Sequence, residues 1–482
     1  MLLITVLVPI LLGAGLLLLP LKGKRTIHIY TLAATCLTSL CVLFCLLFAG
    51  DKTQTFLLLM ENMPLTLRLD GMGKVFAALV ALLWPFAVLY AFEYMEHEGG
   101  EKTFFAWYTV SFGVTLGIAM AGDLITLYLF YEFLTLCTLP LVMHGTSQRS
   151  VAAGLKYLYY SMAGAAMAFA GIALLWHFGD GMAFQMGGVL ENLAATDVIW
   201  VRVGYLLCFL GFGVKAAVFP FHGWLPSASV APTPVTALLH AVAVVKAGVF
   251  AVMRVTFFSF GTACLAGTFA QYVPLALALV TIVYGSCMAV REEHLKRRLA
   301  YSTVSNLSYI LLGVLLMTRE GLVAGMTHMV FHALIKILLF TCVGGVMVHY
   351  GKHYVQDIRQ LSHRMPLTVF CLVLGSLALT GIPPFIGFTS KWMLFESAWQ
   401  LGGTAGYLSI AALLISAVLT AVYLLVPSFH ACFAHANSGD EGGNCDPGKR
   451  MLIPFFVWAA LIVILSFASQ PLIRFIMTAA QL

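Results

Sequence analysis

The sequence predicts an all-α polytopic membrane protein of about fourteen transmembrane helices, with two inverted five-helix repeats and broken helices at the seventh and twelfth positions. Three observations predict it. The chain of 482 residues is 61% hydrophobic and only 10% charged, where soluble domains carry about a quarter charged residues. Its apolar residues fall into fourteen runs of about 20, the length that crosses ~30 Å of hydrocarbon. Two of those runs are interrupted by Gly and Pro beside a lysine.

The runs lie near 2–20, 28–49, 73–92, 104–121, 124–143, 157–178, 200–221, 235–258, 272–290, 299–317, 322–348, 366–398, 407–433 and 451–478. The first lacks a small-residue cleavage site and leads into the basic hinge Lys22, Lys24 and Arg25, so it reads as a retained span and not a signal peptide. Residues 1–103 hold the first three spans, 104–258 the fourth to eighth, 259–433 the ninth to thirteenth, and 434–482 a loop and the last helix. The stretch 434–450 is polar and Gly-rich and reads as a flexible cytoplasmic loop. Loop 93–102 carries Glu93, Glu96, His97 and Glu98, a conceivable metal set for which a solvated acidic turn is the simpler reading. Most of the eleven cysteines fall within spans and form no CxxC pair, so neither a disulfide framework nor an iron–sulfur cluster is indicated.

Orientation follows from the basic residues. Loops after odd-numbered spans hold fifteen of the 26 Lys and Arg, among them Lys22, Lys24, Arg25, Arg291, Lys296, Arg297 and Arg298. The other side holds seven: Lys52, Arg68, Lys74, Arg202, Arg254, Arg319 and Arg474. The positive-inside rule then puts both termini outside the cytoplasm of a plasma-membrane protein. The net charge of +6 thus reflects membrane topology and gives no sign of nucleic-acid binding.

The seventh span runs CFLGFGVKAAVFPFHGWLPSASVAPTP, with Gly211 and Gly213 before Lys215 and Pro220, Pro226, Pro232 and Pro234 after it. The twelfth runs LALTGIPPFIGFTSKW, with Gly381, Pro383, Pro384 and Gly387 before Lys391. Proline removes a backbone donor and clashes with the preceding turn, and irregular backbone at membrane depth is tolerated only against protein or water. Interrupted spans at matching places in two halves point to a transport site. If spans 4 to 8 and 9 to 13 are the two units, each break falls in the fourth helix. Five is odd, so consecutive units insert with opposite orientation.

Five ionisable side chains sit within spans: Glu132, Lys215, Lys246, Lys336 and Lys391. A charge at the bilayer centre costs roughly 2.5 to 3.5 kcal/mol on insertion scales, which marks such residues as functional by default. Glu132 needs a cation, and Lys215 is the natural candidate. At about 4 Å and an effective dielectric of about 20 their attraction is about 4 kcal/mol. Together they hold a proton on the amine; separated, they release it. In the eighth span His240 and Lys246 are six residues apart, about 120° around a continuous helix, and need water to connect. In the eleventh, THMVFHALIKILLF sets His328, His332 and Lys336 at successive i, i+4 positions on one face, about 12 Å of helix that reads as a proton relay. Two histidines at that spacing could also bind zinc or haem, against which the neighbouring lysine argues.

At these residues the chain resembles the antiporter-like subunits of respiratory complex I, Mrp-type Na+/H+ antiporters and membrane-bound hydrogenases, over roughly residues 70 to 430. The motifs are YLFYEFLTL around Glu132, GFGVKAAVFPFHGWLPSASVAPTPVTALLHAVAVVKAG from Gly211 to Gly248, LKRRLAYSTVSNLSYI from Leu295 to Ile310, THMVFHALIKILLF from Thr327 to Phe340 and GIPPFIGFTSKW from Gly381 to Trp392. The resemblance implies Glu132 as the fifth-helix carboxylate, Lys215 as its partner and Lys246 as the central lysine. It implies His328, His332 and Lys336 as the relay and Lys391 as the terminal group. Lysine at 391, and an end at Leu482 without a long lateral helix, make the D-type Mrp subunit, its hydrogenase counterparts or the third complex I member the nearest patterns. Glu396 departs from the pattern, and a cap or surface ion pair is the simplest reading.

The expected protein moves H+, with Na+ as the second candidate ion, within a complex of other integral membrane subunits, and holds no cofactor or metal. A stand-alone secondary transporter of a small solute could use the same repeats but would want varied polar groups. A membrane redox enzyme with haem on His328 or His332 is the third class, separable by its visible spectrum.

Overall fold

The computed structural model describes residues 1–21, 23–60, 63–145, 147–190, 194–433 and 444–480. Single helices form spans one to six: α1 (Leu2–Leu18), α2 (Lys24–Phe48), α3 (Gly71–Met95), α4 (Glu101–Ala119), α5 (Leu124–Val142) and α6 (Gln148–Phe178). The seventh span is α7 (Val198–Lys215) with the short α8 (Trp224–Ala228) after its break, and the eighth is α9 (Thr233–Ala241) with α10 (Val244–Arg254) and a π-helical end, Val255–Phe260. After the one-turn α11 (Thr262–Leu265) come α12 (Phe269–Arg291), α13 (Leu295–Leu315) and α14 (Arg319–Gly345). The twelfth span is α15 (Pro366–Thr380) and α16 (Ile386–Leu401). The thirteenth is α17 (Gly403–Thr420) and α18 (Val426–Phe433), joined by a π-helical stretch, Ala421–Leu425, and α19 (Lys449–Phe467) and α20 (Gln470–Ala479) close the chain.

Polar residues at the helix starts fix where several of these rods begin. Asp70 accepts from the amide of Gly73 at 2.9 Å, Asp123 from Thr126 at 2.6 Å and Thr318 from Gly321 at 3.0 Å, each satisfying a first-turn donor that the helix itself leaves free. Burial then sorts the rods into layers. Every residue of α9 and α10 is buried, as is α14 from Gly321 to Gly345. By contrast α2 turns Leu40, Phe44 and Phe48 outward, as a lipid-facing helix does. Since lipid is as apolar as leucine, close contact and not hydrophobicity must join these rods. Between α6 and α7 that contact is glycine on glycine: a Cβ on Gly164 would stand 2.8 Å from the Gly211 carbonyl oxygen, and one on Gly171 would stand 2.4 Å from that of Gly204.

Five features refine the reading from sequence. The helical fold also carries one small antiparallel hairpin, β1 (Gln54–Met60) with β2 (Met63–Leu67). The eighth span is also broken: the amides of Val242 and Ala243 both donate to the Leu238 carbonyl, and the turn restarts at Val244. Neither residue is Gly or Pro, so no breaker signal marks it. The fourteenth run is two helices, because Ser469 and Pro471 stop a stretch longer than the bilayer, and α20 packs back on α3 and α14. Loop 93–102 is not merely solvated: Glu93 accepts from the Gly448 amide at 2.5 Å and Glu96 pairs with Arg450 at 2.7 Å, tying the start of α19 to α3.

The fifth feature concerns two loop cations, Lys296 and Arg254, which are buried. Arg254 is gripped by Asp70 at 2.5 and 2.6 Å and lies about 5.0 Å from the rings of Phe184, Phe250 and Phe258. Removing one cation from each side leaves the bias of basic residues as it was. Lys22 and residues 434–443 of the loop expected to be flexible lie outside the described residues.

Candidate functional site

The site begins where α7 stops. Lys215 is the last residue of that helix, and the chain then turns through Ala217 with a φ of 55°. The Val214 carbonyl there accepts from the Ala217 amide at 3.0 Å and from the indole Nε1 of Trp224 at 2.8 Å. Lys215 is thereby aimed at α5. Its ammonium donates to the Tyr131 carbonyl, sits 3.4 Å from the centre of the Tyr131 ring, and lies 3.8 Å from Oε1 of Glu132. Glu132 Oε1 accepts no hydrogen bond from a described residue, so charge alone holds the carboxylate. The amine is thus held by the carbonyl and the ring of Tyr131, while its counter-ion is held by no hydrogen bond at Oε1 from a described residue.

From there the site passes to the eighth span by backbone contact. A Cβ on Gly248 would stand 2.5 Å from the Ala216 nitrogen and 2.8 Å from the Lys215 carbonyl carbon. Only glycine lets α10 lie that close to the break, and Lys246 is two residues earlier. Lys246 reaches Nδ1 of His332 on α14 at 2.6 Å. Along α14 the rings of His332 and His328 stack with centroids 5.9 Å apart, and His328 Nδ1 meets the Ser390 hydroxyl at 3.0 Å. Ser390 precedes Lys391, whose ammonium donates to the carbonyls of Leu379 and Thr380 at 2.8 and 3.0 Å. Those oxygens are the exposed C-terminal end of α15, where the helix dipole is negative, so the second break supplies the counter-charge for its own lysine. The ring of Tyr309 bridges the pair, 5.4 Å from His328 and 5.5 Å from the Lys391 ammonium.

Lys336 leaves the histidine row. Its ammonium donates to the Leu299 carbonyl at 2.9 Å and to the Ser302 hydroxyl on α13. His240 stands on α9 with its ring 4.6 Å from that of Phe340, and neither ring nitrogen has a partner among the described residues. His332 Nε2 and His328 Nε2 are likewise unpartnered there. The structure thus joins Glu132 to Lys215, Lys246 to His332, and His332 through His328 and Ser390 to the neighbourhood of Lys391. His240 and Lys336 stand beside that row without a direct bond to it. Glu396 makes no ion pair with a described residue; it lines a cavity of about 340 Å³ with Arg319 and Glu320.

Sequence reasoning missed Tyr131, Ser302, Ser390 and Gly248. All four lie within the motifs, and all but Ser302 stand next to or within a turn of a singled-out residue, but nothing distinguishes a serine that receives an ammonium from one that satisfies its own helix. Among the described residues no three His, Cys, Asp or Glu stand close enough to hold a metal ion.

This arrangement of two broken helices around a buried row of amines and imidazoles has relatives. Residues 121–420 match the family described as NADH:quinone oxidoreductase/Mrp antiporter, TM. The chain belongs to that family. Within the NADH:quinone oxidoreductase/Mrp antiporter family it is 32% identical to NADH-quinone oxidoreductase subunit N of Desulforudis audaxviator over 359 residues, 74% of this chain and 70% of that one. It is 34% identical to a probable K(+)/H(+) antiporter subunit of Rhizobium meliloti over 69% of this chain but 33% of that one. The chain therefore spans most of one relative and a third of the other. The fold superposes on a chain of the Mrp complex from Dietzia sp. with a TM-score of 0.84 at 25% identity, covering 99% of this chain and 52% of that one. A chain of the archaeal membrane-bound sulfane sulfur reductase gives a TM-score of 0.87 at 23% identity, covering 100% and 97%. As a member of the family the protein is a multi-pass, membrane-embedded, antiporter-like subunit.

Proposed function

We propose that this chain is a proton-translocating subunit of a larger respiratory or Mrp-type membrane complex, carrying H+ along Glu132, Lys215, Lys246, His332, His328 and Lys391, with His240 and Lys336 as lateral members. The observation that carries the reading is the 2.6 Å contact between Lys246 and His332. It joins the eighth and eleventh spans, the two most deeply buried, through groups that each exchange a proton. The step itself is simple: the Lys246 ammonium gives its proton to His332 Nδ1, and the imidazolium releases one from Nε2 onward. Glu132 gates the first amine, since its approach stabilises the ammonium of Lys215 and its departure favours proton release.

We take spans 4 to 8 and 9 to 13 as inverted repeats. In support, each unit carries a broken fourth helix and a π-helical stretch late in its fifth, at Val255–Phe260 and Ala421–Leu425. We place both termini outside the cytoplasm of a cell membrane, on the bias of basic residues. Protons then enter from the cytoplasm near the first break and leave beyond Lys391. The parent assembly supplies the driving reaction through neighbouring membrane subunits, as the named relatives belong to multi-subunit complexes.

Lys336→Met tests the reading, because methionine keeps volume and helix propensity while removing the exchangeable proton. Assembly is expected to survive and proton uptake by vesicles carrying the complex to fall at least tenfold, about 1.4 kcal/mol or more. Uptake at the parental rate would make Lys336 a structural residue and remove it from the path, leaving the row to rest on the contact of Lys246 with His332.

A further inference from the structure

A cavity of about 420 Å³ opens on the face that carries the basic loops, lined by Glu98, His144, Ser147 and His353, with Lys296 at its buried end. Lys296 belongs to the first turn of α13 and is 4% exposed, yet it makes no ion pair with a described residue. Its ammonium donates to the Ala231 carbonyl at 2.9 Å, in the segment between the first break and α9. One carbonyl occupies one of its three donors. A buried ammonium so thinly compensated is expensive to keep.

Two routes lead inward from it. The same Ala231 carbonyl accepts from the Thr236 hydroxyl at 3.1 Å, and His240, with neither nitrogen partnered among the described residues, stands one helical turn beyond Thr236. On α13 itself, Leu299 is one turn after Lys296, about 4.5 Å along the axis, and its carbonyl holds Lys336 at 2.9 Å. Lys296 thus stands between the cavity and the lateral members of the row, toward His240 by way of Ala231 and Thr236 and toward Lys336 by way of the Leu299 carbonyl.

We propose that Lys296 is the proton-loading residue of the cytoplasmic entrance, taking protons from this cavity and passing them to His240 and Lys336. The inference rests on the proposed function and adds an entrance to it. A purely structural reading makes Lys296 a strut that holds Ala231 against α13. Arginine separates the two, since it keeps the charge and the donors but does not give up its proton.

The test measures proton uptake in vesicles carrying the whole complex for Lys296→Met, Lys296→Arg and Lys296→His, with Lys336→Met alongside and assembly checked on native gels. The expected result is at least a tenfold loss for both Met and Arg at 296, with His keeping at least a third of the parental rate. Parental transport by Lys296→Arg, or Lys296→His no better than Met, overturns the entrance. Loss in Lys336→Met together with parental Lys296→Arg rejects the entrance and leaves Lys336 in the path, whereas parental rates in both reject Lys336 as a proton carrier as well.

Discussion

The two broken helices present their lysines in opposite ways. At the first break Lys215 faces a side chain: Glu132 stands 3.8 Å away on another helix, with about a quarter of its surface exposed and Oε1 free of hydrogen bonds from described residues. At the second break Lys391 faces backbone, the carbonyls of Leu379 and Thr380 at 2.8 and 3.0 Å, at the end of α15. A carboxylate on a rotatable stem can come and go, while a helix terminus cannot. The first break therefore has the parts of a switch and the second those of a fixed station, although their Gly and Pro patterns look alike in sequence.

The largest effect is expected where a counter-charge is fixed and fully buried. Arg254→Met leaves the buried carboxyl of Asp70 without its counter-charge at the start of α3, and such a break costs about 3 to 5 kcal/mol; the complex is expected to fail to assemble, seen as loss of the subunit from the purified membrane fraction. Lys391→Met leaves only two carbonyls unsatisfied, so assembly should persist while proton uptake falls at least tenfold. Survival of uptake would mean that the second break is no station at all. Ser390→Ala removes the hydroxyl on His328 Nδ1, and the loss of one hydrogen bond, about 0.5 to 1.5 kcal/mol, should slow uptake by about two- to tenfold. Tyr131→Phe is the mildest change. It deletes the bond from the phenol to the Phe212 carbonyl at 3.1 Å but keeps the ring and the carbonyl that hold Lys215, so uptake within about twofold of parental is expected. A larger loss would assign the phenol a part in transfer.

Much of this is legible without coordinates, for reasons that differ by element. Apolar run length fixes spans because the bilayer fixes length, and the Gly/Pro runs around Lys215 and Lys391 announce breaks because those residues cannot continue a helix. The break at Val242 and Ala243 is hidden, since two amides sharing the Leu238 carbonyl require no special residue. Lys336 shares a helical stripe with His332, but its bonds go to α13, because spacing along one helix says nothing of which neighbour offers a carbonyl. Lys296 and Arg254 read as loop cations from their positions at the ends of apolar runs. Burial of a run's end depends on what packs over it, and Asp70 lies 184 residues from Arg254.

The pairing of Glu132 with Lys215 is the measurement on which the switch stands or falls. Glu132→Gln removes the counter-charge that keeps the Lys215 ammonium protonated, and Lys215→Met strands the carboxylate. Each is expected to lower proton uptake by about tenfold in vesicles carrying the assembled complex. Residues that act as one unit are not additive, so the double variant should transport about as fast as either single one. A double variant slower by about a hundredfold, the product of independent losses, would place the two side chains on separate paths and contradict the switch.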